Sequence, residues 1–288
     1  MQALAYPRQL RDHLLFVGIV LLILIGCPTL LLLSGFGQDP LPYLPTSAIP
    51  FLAGLAAGLL RMLLSAYSVG RQAALVAVAA AAALLLHAVA GWPAQYLLAP
   101  ATALLLAVLF LLVPRGHMLA EMTVYTSATV LANYTLDAFI PVGGLFLVNV
   151  GTFFFGITFT QRDRVHKYGR RNVYTMILVA AVANVLAALS LDTPLRYVGV
   201  AFLAIIVSET VDTEIYQRLL HRPWLVRVAS SNAVSAPLDS TIFTVLAFLG
   251  EPFATANWIF RVIFTDVLVK YASSIVVALP RFRRRPAS

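Results

Sequence analysis

Apolar runs of about twenty residues recur along this chain, from Leu14–Leu33 near the start to Asn257–Leu279 near the end. A helix rises about 1.5 Å per residue, so ~20 apolar residues match the ~30 Å hydrocarbon layer of a bilayer. Only 11% of the residues are charged and 60% are hydrophobic, whereas about 25% of a soluble domain is charged. Mean hydropathy is +0.88. The sequence therefore predicts an all-α polytopic membrane protein with about ten transmembrane helices.

Between the first and last runs, spans are expected near 49–67, 73–90, 97–113, 118–139, 145–160 and 172–189, with a further pair inside 202–250. The net charge of +8 sits in short loops, among them Pro114–His117, Arg162–Arg171 and His221–Arg227, and in the tail from Arg281. Excess Lys and Arg marks cytoplasmic loops. Both termini are thus expected in the cytoplasm, with loops near Asp39, Trp92, Gly143, Asp192 and Glu251 outside. Charge distributed this way follows the membrane and gives no basic face for nucleic acid. The one cysteine, Cys27, excludes an intrachain disulfide. Histidines are scattered, and neither a phosphate-binding glycine loop nor a nucleophile elbow is present. The expectation is a chain with no catalytic residues, no cofactor and no metal; a membrane enzyme or assembly factor whose buried acids bind a metal is the alternative, against which the lack of clustered His or Cys counts.

Polar residues inside the spans set the functional expectation. An ionised side chain near a bilayer centre costs roughly 2.5–3.5 kcal/mol even on lenient scales, so it is expected to face protein or a wet cavity. Glu209, Asp212 and Glu214 fall on one helix of the 202–250 hairpin and Asp239 on the other. Asn232, Ser235 and Asp239 share a helical face, and Asn133 and Asp137 lie one turn apart earlier in the chain. Asp266 and Lys270 are spaced i,i+4, acid first, which predicts an internal structural or coupling ion pair. Glu214 pairs in the same way with Arg218 at the membrane edge. Glu209, Asp239 and Asp266 reach a common depth, roughly 14–18 Å into their spans at ~1.5 Å per residue, where secondary transporters place substrate. The substrate-binding candidates are Asp239, Glu209, Asn133, Asp212 and Asn232. Phe139 and Trp258 are candidates to stack on a ring, while Phe153–Phe155 is read as facing lipid.

Five ordered segments carry a resemblance: LANYTLDAFIP (Leu131–Pro141), FGITFTQRDRVHKYGR (Phe155–Arg170), VSETVDTEIYQRL (Val207–Leu219), SSNAVSAPLDSTIFTVLAFLG (Ser230–Gly250) and TDVLVKYASSIVVALP (Thr265–Pro280). Over about residues 120–280 the chain resembles the VUT family of queuosine precursor transporters. The resemblance implies a six-span transporter core at 117–288, preceded by a four-span membrane extension at 1–116. It also implies uptake across the cell (inner) membrane of 7-cyano-7-deazaguanine (preQ0) or a related 7-deazaguanine for tRNA modification. A proton or sodium ion as coupling partner and a homo-oligomer are both compatible with it. Asn133, Asp212, Asp239, Asp266 and Lys270 match positions where the family pattern carries polar residues; Arg162 stands where some members have an acid one position before Asp163. A second reading of the same features is the substrate-binding membrane subunit of an energy-coupling-factor vitamin importer.

Overall fold

The computed structural model describes residues 5–26, 48–63, 67–90, 98–136, 138–143, 146–190 and 195–282. The sequence expectations at Cys27, Asp39, Trp92, Asp137 and Asp192 lie outside the described residues. The chain divides into two compact units, residues 1–127 and 128–288. The division falls inside a helix, C-terminal to the loop at 114–117 where the sequence placed it.

The first unit contains α1 (Ala5–Leu21), continued by a π-helical turn at Leu22–Gly26, then α2 (Ile49–Leu63), α3 (Val69–Ala90), α4 (Leu98–Leu112) and most of α5 (Gly116–Tyr134). Gly54 and Gly58 lie one turn apart on α2, and both meet α5 at close range. A Cβ on Gly58 would stand 2.3 Å from Val124 Cγ2 and 2.9 Å from the Ala120 carbonyl oxygen; one on Gly54 would stand 2.7 Å from Ser127 Oγ. Small residues four apart let two helix backbones approach, the contact on which membrane helices rely when lipid supplies no hydrophobic drive. Charge is neutralised locally. Buried Asp12 accepts from Arg115 at 2.9 Å, and Arg61 donates to Gln72 Oε1 at 2.9 Å.

The second unit holds the rest of α5, strands β1 (Phe139–Val142) and β2 (Phe146–Asn149), and helices α6 (Val150–Val165), α7 (Arg170–Ser190), α8 (Leu195–Arg218), α9 (Trp224–Phe248) and α10 (Ala256–Phe282). The strands pair antiparallel, Phe139 opposite Asn149 and Val142 opposite Phe146. This hairpin corrects the sequence reading, which extended one helix to Phe139 and began the next at Leu145. Pro141 cannot donate within a helix, Gly143 turns the chain at φ 57°, and Ile140, Val142 and Val148 favour extended backbone. Asn149 then starts α6 by accepting from the Gly151 N–H at 2.7 Å. The Leu147 N–H donates to Thr265 Oγ1 at 3.3 Å, which ties the hairpin to α10.

Among the described residues there are ten α-helices. One, over Arg170–Leu189, is long and apolar enough to cross a membrane; Ile49–Met62 and Pro100–Leu112 form shorter apolar helices.

The close approach at α2 generates a stability prediction. Gly58→Val places methyl groups against backbone that cannot yield, a substitution that costs about 1–3 kcal/mol or more. Gly70 is exposed on α3 with nothing within 4 Å of its would-be Cβ, so Gly70→Ala is expected to be neutral or stabilising. Thermal melting of detergent-purified variants separates the two, and equal melting temperatures would contradict the packing described for α2.

Candidate functional site

Helices α8 and α9 form a hairpin whose facing surfaces carry buried polar side chains, and α6 and α10 pack beside it. Two polar centres result. The first surrounds Asp239. Its Oδ2 accepts from Lys270 Nζ at 2.7 Å, and its Oδ1 accepts from Ser208 Oγ at 3.1 Å. Lys270 also donates to Ser240 Oγ at 2.7 Å and lies 5.2 Å from the Phe155 ring centroid. Asp266, one turn before Lys270, instead accepts from Thr152 Oγ1 of α6 at 2.6 Å. Pro237, two residues before Asp239, lacks the N–H that would bond the Ala233 carbonyl, which loosens α9 at this level.

The ion pair predicted between Asp266 and Lys270 is therefore replaced by one between Lys270 and Asp239. Both α10 side chains leave the same face, but α6 offers a hydroxyl to the acid while the longer lysine stem reaches the carboxylate on α9. Local spacing identified the charged residues and assigned the partner wrongly.

Asp239, Asp266 and Lys270 line one cavity with Thr152 and Asn149, walled by Phe139, Phe155, Phe243 and Phe248. The open space at its centre holds little more than a water molecule. Entry of anything larger therefore parts the aromatic walls. Phe248 anchors them, with Phe139, Phe243 and Trp258 packed edge-on at centroid distances of 6.2, 5.9 and 5.3 Å. Phe139, one of the two candidate stacking rings, lines the cavity, and Trp258, the other, packs edge-on against it with centroids 5.7 Å apart. Phe155, read as lipid-facing, points into the cavity; Phe153 of the same triplet is exposed. Three consecutive aromatics give no sequence signal for which one turns inward.

The second centre surrounds Arg162. The sequence placed this residue at the start of a cytoplasmic loop, yet it lies in the last turn of α6 and is fully buried. Its Nη1 donates to Glu209 Oε2 at 2.9 Å and its Nη2 to Asn232 Oδ1 at 2.9 Å. Nη2 also lies 2.8 Å from Asp212 Oδ2 and 3.4 Å from Asp163 Oδ1. Ser235 Oγ donates to Asp212 Oδ1 at 2.7 Å. Glu209, Asp212 and Asn232 thus meet Arg162, and none of them lines the Asp239 cavity. Asn133 stands apart from both centres and donates to Asn184 Oδ1, which lines a separate small cavity with it. Glu214 pairs with Arg170 and accepts from Tyr174 at 2.7 Å, in place of the Arg218 pairing predicted.

His166, in a single 3-10 turn after α6, closes the second centre. Its ring stacks on Tyr216 with centroids 4.2 Å apart, and Nδ1 lies 2.9 Å from the Gln217 amide. Burial first, then the Arg162, Arg227 and Arg170 cations, hold its pKa down to about 3. The imidazole is neutral at physiological pH.

A family model described as "Putative vitamin uptake transporter" matches residues 190–283. The matched stretch contains all of α8, α9 and α10, about a third of the chain, and with them Asp239, Asp266 and Lys270. No curated protein and no solved structure matches the chain. Similarity to a vitamin-uptake-type transporter accords with a helical membrane protein.

The Asp239–Lys270 geometry sets a double-mutant test. Asp239→Asn or Lys270→Met each leaves a buried charge without its partner, a change that costs about 3–5 kcal/mol, whereas removing both charges is far milder. Folded yield from size-exclusion profiles is expected to fall in both single variants and recover in the double. A double variant no better than the worse single one would sink the pairing.

Proposed function

We propose that this protein is a membrane transporter that imports a queuosine precursor base, 7-cyano-7-deazaguanine or a related 7-deazaguanine. The observation that carries the reading is the coincidence of two carboxylates and an ammonium group with four phenylalanines around one buried cavity. A deazaguanine is flat and uncharged, so the aromatic walls suit its faces. Its Watson–Crick edge presents a ring N–H and an exocyclic amine beside a carbonyl oxygen. One carboxylate accepts both donors in the bidentate manner that makes such contacts selective.

Asp239 already accepts from Lys270, whereas Asp266 receives one hydroxyl. Asp266 is thus the acid with more acceptor capacity to spare, and it takes the bidentate role. Lys270 donates to the base carbonyl, and Asp239 holds Lys270 in position. Adenine presents the opposite pattern and leaves the buried acceptor unmatched. The similarity over residues 190–283 supports uptake of a small molecule, and the five sequence segments of the resemblance support the deazaguanine.

Purified protein in liposomes is expected to take up labelled 7-cyano-7-deazaguanine, with imposed proton and sodium gradients identifying the coupling ion. Loss of one charge-assisted contact, about 1.5–3 kcal/mol, predicts that Asp266→Asn lowers uptake at least tenfold with folded yield retained. No uptake by the unmodified protein overturns the substrate, and full uptake by Asp266→Asn removes that residue from the site. Uptake only with a co-reconstituted ATPase would instead identify an energy-coupling-factor subunit.

The same proposal includes ten crossings with both termini in the cytoplasm, on the loop distribution of Arg and Lys. In a Cys27→Ser background, a cysteine at Glu251 is expected to react with an impermeant maleimide in intact cells and one at Lys167 to be protected. The reverse pattern would invert the orientation.

A further inference from the structure

The Arg162 centre has no part in the substrate reading, and its charges do not balance. Asp163, Glu209 and Asp212 are buried together, and among the described residues Arg162 is the one cation within ion-pair distance of them. Three carboxylates against one guanidinium leave two negative charges when all are ionised. Buried charge that lacks a partner is compensated by a proton or by a bound cation.

The geometry favours a cation. One ligand atom from each of Asp163, His166 and Asp212 lies within 4.8 Å of the other two. Around a bond of about 2.0–2.2 Å, ligand atoms stand roughly 3–4 Å apart, so a shift of about 1 Å closes the set. Two of the donors are unspent: Asp163 Oδ2 and His166 Nε2 are buried without a hydrogen-bond partner. Asp212 Oδ2 sits near Arg162 without the alignment of a hydrogen bond. His166 is not an acid and is 6% exposed. Gln217 lies beside Nδ1 at 2.9 Å. With its amide turned so that the carbonyl oxygen faces the ring, Nδ1 donates and Nε2 keeps its lone pair. Ligating histidines are usually held in this way by a second residue.

We propose that Asp163, His166 and Asp212 hold one divalent transition-metal ion, with Gln217 fixing the imidazole. An imidazole among carboxylates suits zinc or manganese better than sodium or magnesium, which prefer oxygen alone. A charge of +2 brings the cluster to neutrality. The ion would tie the end of α6 and the turn after it to α8, beside the guanidinium that already joins α6 to α8 and α9.

The test reads metal directly, so it stands whatever the uptake assay returns. Protein purified without chelator is analysed by mass spectrometry for metal. Metal-free protein is then titrated with Zn2+ and with Mn2+ while thermal unfolding is followed. About one equivalent per chain is expected, or saturable stabilisation by several degrees, with Asp163→Asn and His166→Gln each weakening binding tenfold or more. Absence of metal as purified, with no shift from either ion to about 1 mM, overturns the site without recourse to a variant. Stabilisation by Na+ alone overturns it too, as does metal binding undiminished in both variants.

Discussion

Burying charge among apolar helices is the constraint on which the second unit depends, and Arg162 carries most of it. A guanidinium transferred from water loses several kcal/mol of solvation, which only close, well-oriented partners repay. Here one planar fork contacts its own helix at Asp163, α8 at Glu209 and Asp212, and α9 at Asn232. Arginine suits this role because its donors diverge in fixed directions, whereas a lysine would offer one compact head. A change that breaks this centre leaves buried acids without compensation, so the register of α6, α8 and α9 is specified electrostatically where lipid-like side chains would leave it loose.

Lys270 applies the same logic closer to the β-hairpin, with fewer charges. It reaches from α10 to Asp239 on α9 and lies over Phe155 of α6. Apolar walls of Phe139, Phe155, Phe243 and Phe248 surround Lys270, Asp239 and Asp266 in one cavity. The Arg162 centre is flanked by the Phe159 ring, 5.1 Å from the guanidinium, and by Tyr216 stacked on His166, and is filled by its own side chains.

Much of this was legible in the sequence, and the failures share a cause. Apolar runs located the helices because burial imposes a helical period over many residues. The acids Asp239, Asp266, Glu209 and Asp212 stood out because each interrupts such a run. Partners did not stand out: Lys270 bonds a residue 31 positions away, and Arg162 bonds acids 47 and 50 positions on. Spacing of three or four reports only what one helix holds on one face. Arg162 was assigned to a loop because it begins a basic run, although it ends a helix whose last turn is buried. The β-hairpin was missed because four-residue strands leave too short a pattern to distinguish from a helix end, although Pro141, Gly143 and the β-branched Ile140, Val142 and Val148 are local signals for it. His166, Asp163 and Asp212 illustrate the same limit, since their convergence depends on how α6 meets α8.

The two centres are chemically distinct yet mechanically joined. Ser208 and Glu209 are consecutive on α8; the first bonds Asp239 and the second bonds Arg162. On α9, Asn232 and Ser235 belong to the Arg162 centre and Asp239 to the other, with Pro237 between. A helix is stiff along its axis except where a hydrogen bond is missing, and Pro237 removes one at this boundary. The cavity at Asp239 holds little more than a water molecule, so admitting anything larger requires its aromatic walls to part. The three acids and the guanidinium of the Arg162 centre thus lie on one side of that missing hydrogen bond, and Asp239 on the other.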